Sequence, residues 1–273
     1  MTRRRPLAAA LFATAALAQE PAAATGKIDL PLQIPGLAAG DLTAAWTAPA
    51  SWTAGIWGRF GLGAAALAGL SLALDRPVDR AVRRSDLTSY DPWARRLDTL
   101  GSAGTVAIAG GAYLGGLLAD QPKVREFGAD AAFSMLVAEV GFTLPAKYLF
   151  GRSRPGADAG PYHFQPIHGG DSFPSAHATQ AFSLATVISE YADSPWASVA
   201  AYGLASLVGL ARIEQRAHYV SDVAAGAVIG TLSAKAVMLR HRTLRLGANK
   251  RVEFSCTPVW TGNRPGLLIK VRF

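Results

Sequence analysis

Cysteine is nearly missing from this chain. Cys256 stands alone in 273 residues, which excludes an internal disulfide framework and any metal site built on several thiolates. Charge is sparse as well: 17% of residues are charged against 50% hydrophobic, the reverse of the balance that keeps a chain disordered. Period-two alternation, the mark of half-buried strands, is lacking until residue 258. What is present is an Ala-, Leu- and Gly-rich chain of mean hydropathy +0.20, long enough for one large domain or two small ones. Its 27 Lys and Arg outnumber 19 Asp and Glu for a net +8. Such an excess points to an anionic partner: nucleic acid, an anionic membrane or a phosphorylated substrate.

The first residues, Met-Thr-Arg-Arg-Arg, lead into an apolar run from Leu7 to Ala18 with small residues at Ala16 and Ala18. A positive start, a short apolar stretch and small residues before Gln19 predict a secretory signal peptide over 1–18. The run is well short of the ~20 residues a spanning helix needs. Cleavage removes Arg3, Arg4 and Arg5, so the exported protein is only mildly basic and the nucleic-acid reading recedes. Residues 19–56, rich in Ala, Pro, Thr and Gly, read as an extended arm that Trp46, Trp52 and Trp57 pin to the body or to a membrane interface. Apolar blocks at 57–74, 99–119, 129–150, 175–192, 197–213 and 219–239 are separated by helix stops at Asp75-Arg-Pro77, Asp120-Gln-Pro122, Gly151 and Asp193-Ser-Pro195. The predicted fold is all-α: a six-helix bundle over 57–240, with the extended arm before it and a tail at 241–273 holding a small β-hairpin around Gly262-Asn263.

Three clusters place polar groups at the ends of apolar helices. In Ala211-Arg212…His218-Tyr-Val-Ser-Asp222, His218 and Asp222 are four apart and share a helix face. The carboxylate can then accept an imidazole N–H and leave the other nitrogen nucleophilic. Arg212 can clamp an anion beside it. In Ser172-Phe-Pro174-Ser175-Ala176-His177, the free N–H groups of Ser175 and Ala176 open a helix whose dipole favours an anion, and His177 can protonate a leaving oxygen. Lys147…Arg152-Ser-Arg154-Pro155 supplies guanidinium forks that match phosphate oxygens. Taken singly, each has a plainer reading: a surface ion pair, a capped helix, or the positive flank of a membrane helix. Together they supply anion clamps, a helix N-terminus, an oriented nucleophile and a second histidine, the inventory for phosphoryl transfer through a phosphohistidine. His177 and His218 lack a convincing third ligand, and His163 and His168 lie in a loop, so no metal or other cofactor is expected.

The clusters resemble the type 2 phosphatidic acid phosphatase superfamily, which also includes bacterial non-specific acid phosphatases and vanadium haloperoxidases. That family's pattern is Lys-x6-Arg-Pro, then Pro-Ser-Gly-His, then Ser-Arg-x5-His-x3-Asp. Here it falls on Lys147…Arg154-Pro155, on Pro174-Ser175-Ala176-His177, and on Ala211-Arg212…His218…Asp222. Ala176 stands where the family has glycine, and Ala211 where it has serine. The first keeps the backbone donor; the second removes a hydroxyl worth on the order of 1 kcal/mol of hydrogen bonding. The resemblance implies that Lys147, Arg154 and Arg212 hold the phosphate with Ser175 and the Ala176 N–H. It implies further that His218, oriented by Asp222, attacks phosphorus, and that His177 protonates the leaving alkoxide and later activates water. Arg152 and Tyr219 fall next to this set, and Arg216 is expected to face solvent.

The implied activity is metal-independent hydrolysis of a lipid phosphate or a soluble phosphomonoester. A vanadium haloperoxidase on the same site and a non-catalytic envelope scaffold are the alternatives. Arg59, Glu139, Glu190 and Asp222 interrupt the apolar blocks, and intramembrane charge is rare outside functional sites. Basic segments at 76–84 and 240–251 cannot both lie inside if six helices span. Both features favour an exported, periplasmic bundle, membrane-attached at most.

Overall fold

The computed structural model describes residues 34–85, 92–248, 253–261 and 264–272, with side chains described over 36–85 and 92–245. The signal peptide assigned to 1–18 lies outside the described residues. Among the described residues there are seven helices: α1 Ile34–Thr47, α2 Ala54–Arg84, α3 Pro92–Leu118 and α4 Pro122–Phe150, α5 Ala176–Ala192, α6 Pro195–Glu214 and α7 Val220–Ala248. Two strands, β1 Glu253–Thr261 and β2 Arg264–Arg272, pair antiparallel with Thr261 opposite Arg264.

The main departure from the expected architecture is at the N-terminal side. The stretch 19–56 is not an extended arm throughout, because 34–47 is helical and α2 already begins at Ala54. Tertiary contacts override the weak local propensity of Gly36 and Gly40. Leu37, Ala38, Leu42 and Ala45 pack on Phe133, Val137 and Val237. Trp46 donates its indole N–H to the Gly141 carbonyl at 2.9 Å, and Asp41 pairs with Arg240 and His241.

Asp75-Arg-Pro77 is also not a helix stop. The chain passes through Pro77 because Ser71–Asp75 forms a π turn just ahead of it. A wider turn relieves the clash between the proline ring and the carbonyl four residues back. The same device recurs in α4, where the π stretch Val137–Thr143 precedes Pro145.

The bundle closes through small residues at helix crossings. A Cβ on Gly128 would strike the backbone of Ala109 and Tyr113, fixing α4 against α3. A Cβ on Gly226 would lie 2.5 Å from the Ser175 carbonyl, and one on Gly230 would run into Thr179. This Gly-x3-Gly face lets α7 lie directly on α5. The core around them comprises Ala109, Ala131, Met135, Leu184, Val187, Ala234 and Met238, drawn from α3, α4, α5 and α7. These crossings bring the end of α4, the start of α5, the end of α6 and the start of α7 to one end of the bundle.

Candidate active site

The site is built where α4 stops. Gly151 takes a left-handed conformation (φ 55°), and a Cβ there would collide with the Gln165 carbonyl; only glycine fits. The chain then folds back on itself, with Ser153 N–H donating to His163 O at 3.0 Å and Ser172 N–H to Arg152 O at 3.0 Å. The Phe173–Pro174 peptide is cis.

Arg152 is the buried hub of this end. Its guanidinium donates to Asp222 Oδ1 at 2.5 Å, Ser221 Oγ at 2.8 Å, Asp75 Oδ2 at 2.7 Å and Pro161 O at 2.6 Å. Tyr219 stacks on it with its ring centroid 4.4 Å away. Asp75, on α2, also accepts the backbone N–H and the hydroxyl of Ser221. With every carboxylate satisfied, this arginine is committed to joining α2, the loop and α7.

Arg154, two residues on, is in the opposite situation. It forks onto Asp171 at 2.7 and 2.6 Å, and both partners are exposed. Lys147 donates to the Asp171 carbonyl. The Arg154 hydrogen bonds hold the Asp171 carboxyl below its usual range. An exposed pair of this kind contributes about 0–1 kcal/mol, so both cations can turn to a phosphate at small cost.

The geometry revises how His218 is oriented. Its Nδ1 lies 2.7 Å from the Ser172 carbonyl but 4.0 Å from Asp222 Oδ2, too far for a hydrogen bond. The expected imidazole–Asp222 bond is therefore replaced. Asp222 is consumed by Arg152, by the Ser172 hydroxyl at 2.6 Å and by the Tyr219 N–H at 2.8 Å. A carbonyl only accepts, so Nδ1 carries the proton and Nε2 keeps its lone pair. Burial, then the charges of Lys147 and Arg212, hold His218 well below the usual histidine range, with the Ser172 carbonyl opposing them.

Ser175 also differs from expectation. Its N–H is not free for an anion, since it donates to the Asp222 carbonyl at 3.0 Å. Its hydroxyl accepts from the Ala178 N–H at 3.5 Å as the cap of α5. Ala176 is the first residue of that helix, and Ala211 is fully buried. Arg216 does not simply face solvent: it ties Asp79 at 3.1 Å, Pro155 O at 2.6 Å and Asp158 at 2.5 Å.

His177 reveals a residue that sequence reasoning missed. Its Nε2 lies 3.0 Å from Asp98 Oδ1 on α3, and the same carboxylate oxygen accepts from Arg212. Burial first, then Arg212, push His177 down to about 4, against the pull of Asp98. Lys147, Arg154 and Arg212 act electrostatically on both histidines, so these five side chains lie near one another. Asp98 has no local signature: it lies in Arg95-Arg96-Leu97-Asp98, far from the other motifs in sequence. Among the described residues, no group of three or more His, Cys, Asp or Glu side chains is close enough together to hold a metal ion.

The helices carrying this site are similar to a known class. Residues 127–246, from within α4 to the last turns of α7, match the model of the PAP2 superfamily. More particularly, the chain is 42% identical over 94 residues to the lipid A 1-phosphatase of Porphyromonas gingivalis, a stretch covering 34% of this chain and 19% of that relative. No solved structure matches the chain significantly.

Proposed function

We propose that the protein is a membrane-embedded phosphatase that hydrolyses the phosphate monoester of a lipid through a phosphohistidine on His218. The observation that carries this reading is the Ser172 carbonyl on His218 Nδ1, which leaves Nε2 unprotonated beside Lys147, Arg154 and Arg212. As Nε2 bonds to phosphorus, the ester P–O bond breaks, its electron pair stays on the leaving oxygen, and a proton from His177 follows it. Water then attacks phosphorus and gives its proton to His177. The N–P bond breaks with its electron pair returning to Nε2, and orthophosphate leaves. The cations hold the phosphoryl oxygens throughout, where charge develops. The mechanism asks for no metal.

A lipid substrate is supported by the relative's name and by the surroundings of the site. The described residues include five helices long and apolar enough to cross a membrane, α2, α3, α4, α6 and α7. Exposed aromatic residues flank the site end, among them Tyr148, Phe150, Tyr162 and Phe164. The test is release of orthophosphate by detergent-solubilised protein from lipid A, phosphatidate, undecaprenyl pyrophosphate and p-nitrophenyl phosphate, with and without EDTA. The lipid phosphates should be preferred, EDTA should have no effect, and His218→Ala should lose turnover while keeping its melting transition. Turnover at the wild-type rate by His218→Ala would overturn the mechanism, and loss of activity in EDTA would overturn its metal independence.

A further inference from the structure

We infer that Asp98 is a positioning residue, one that holds the His177 ring for proton transfer and competes with substrate phosphate for Arg212. The inference rests on the phosphatase reading above. It concerns α3, which lies outside residues 127–246 that match the superfamily.

Three observations converge on this carboxylate. First, one oxygen of Asp98 meets both His177 Nε2 at 3.0 Å and the Arg212 guanidinium, so a single charge is shared by the acid and by a phosphate clamp. Second, the backbone is arranged to keep it there. A Cβ on Gly101, one turn further along α3, would sit 3.5 Å from His177 Cβ and Cδ2 and would strike Val208 of α6. A small residue at 101 thus lets α3 approach both α5 and α6. Third, Arg212 is nearly buried and its other partner, Gln215 at 2.5 Å, is neutral. Asp98 is therefore the only carboxylate that the described residues bring within ion-pair distance of Arg212.

The chemistry follows from these contacts. Asp98 accepts the Nε2–H of His177, which leaves the second ring nitrogen to give a proton to the leaving oxygen and to take one from water. The carboxylate also opposes the field of Lys147, Arg154 and Arg212, which disfavours a proton on that ring. An incoming phosphate brings negative charge to the same cations and draws Arg212 from Asp98. The carboxylate is then left to the histidine at the moment the proton is needed. Once orthophosphate has formed, Asp98 can reclaim Arg212 and so favours product release.

These two roles predict opposite effects of one substitution. Asp98→Asn should lower kcat for a lipid phosphate, whose alkoxide leaves only with a proton, by about tenfold or more. It should spare p-nitrophenyl phosphate, whose leaving group needs little protonation. The same variant should bind orthophosphate several-fold more tightly, read as product inhibition and as the thermal shift that phosphate produces. Asp98→Glu should restore part of the lipid rate. Equal losses on both substrates with unchanged phosphate affinity would show a merely structural residue and overturn the inference, as would a fully active Asp98→Asn. If the wild-type protein released no phosphate at all, the phosphatase reading would fall instead. The thermal shift with phosphate would still decide whether Asp98 competes for Arg212.

Discussion

Two arginines two residues apart illustrate how burial assigns a role. Arg152 is enclosed, with Asp75 and Asp222 as charge partners and Tyr219 over its face. Removing one member of a buried pair leaves the other uncompensated, at about 3–5 kcal/mol. Arg152→Gln should therefore lower the melting temperature sharply in detergent and abolish activity by unfolding the site. Arg154 sits in an exposed fork with Asp171, so Arg154→Gln should melt with the wild type while KM rises about tenfold. Calorimetry and initial rates on the two variants separate these outcomes. The histidines carry the pH dependence. His218 must be unprotonated to attack, and its proton affinity is reduced by burial, Lys147 and Arg212. The acid limb of kcat/KM should therefore lie well below pH 6.5, the ordinary histidine value, because the nucleophile stays neutral until its lowered pKa is reached. Lys147→Met removes one repelling charge, so the limb should move to higher pH. An unmoved limb in that variant would mean that another group titrates there.

At the scale of elements, what could be read from the sequence was whatever helix periodicity and spacing encode. The motifs at 147–155, 172–179 and 211–222 lie at helix ends, as their spacing predicts, and their cations and histidines converge. What escaped were features set by distant partners. Residues 34–47 carry Pro35, Gly36 and Gly40, which locally read as irregular chain, yet Asp41 and Trp46 anchor them to α7 and α4. The i,i+4 spacing of His218 and Asp222 is real, but that carboxylate caps Tyr219 and neutralises Arg152 rather than bonding the ring. Asp75 and Asp98 were invisible because the groups they serve lie 77 and 79 residues away in the chain. Packing of α5 on α7 yields its own prediction. Gly226→Leu would force a side chain into the Ser175 carbonyl, and overpacking commonly costs about 1–3 kcal/mol. Here the obstacle is backbone at the phosphate end, so activity should fall at least as steeply as stability. Gly203→Leu, at a position open on all sides, should leave both unchanged.

For the whole molecule, the decisive question is what solvent surrounds the helices. Their charges weighed against spanning as long as those side chains were pictured facing lipid. In the structure Asp222 is buried and paired with Arg152, as are Asp75 and Asp130 with Arg152, His241 and Arg245, while Arg59 and Glu190 are exposed near the ends of α2 and α5. By length and hydropathy the described residues supply five candidate spans. Helix α2 is the clearest case. None of its apolar window is buried inside the bundle, against 61% for α4. Its 31 residues reach about 46 Å at 1.5 Å per residue, beyond the ~30 Å hydrocarbon core. Its basic last turns, Arg76 to Arg84, would therefore emerge at the headgroups on the side of the phosphate site. Trp57 at one end of α2 and Trp196 at the start of α6 are exposed, a placement suited to the opposite interface. The protein should accordingly remain in the membrane pellet after high salt and alkaline carbonate and dissolve only in detergent. Brominated lipids should quench its tryptophan fluorescence, less so in Trp57→Phe and Trp196→Phe. Release by osmotic shock or carbonate would instead identify a soluble periplasmic bundle, whose exposed Leu, Val and Trp side chains would then have to be covered by another protein surface.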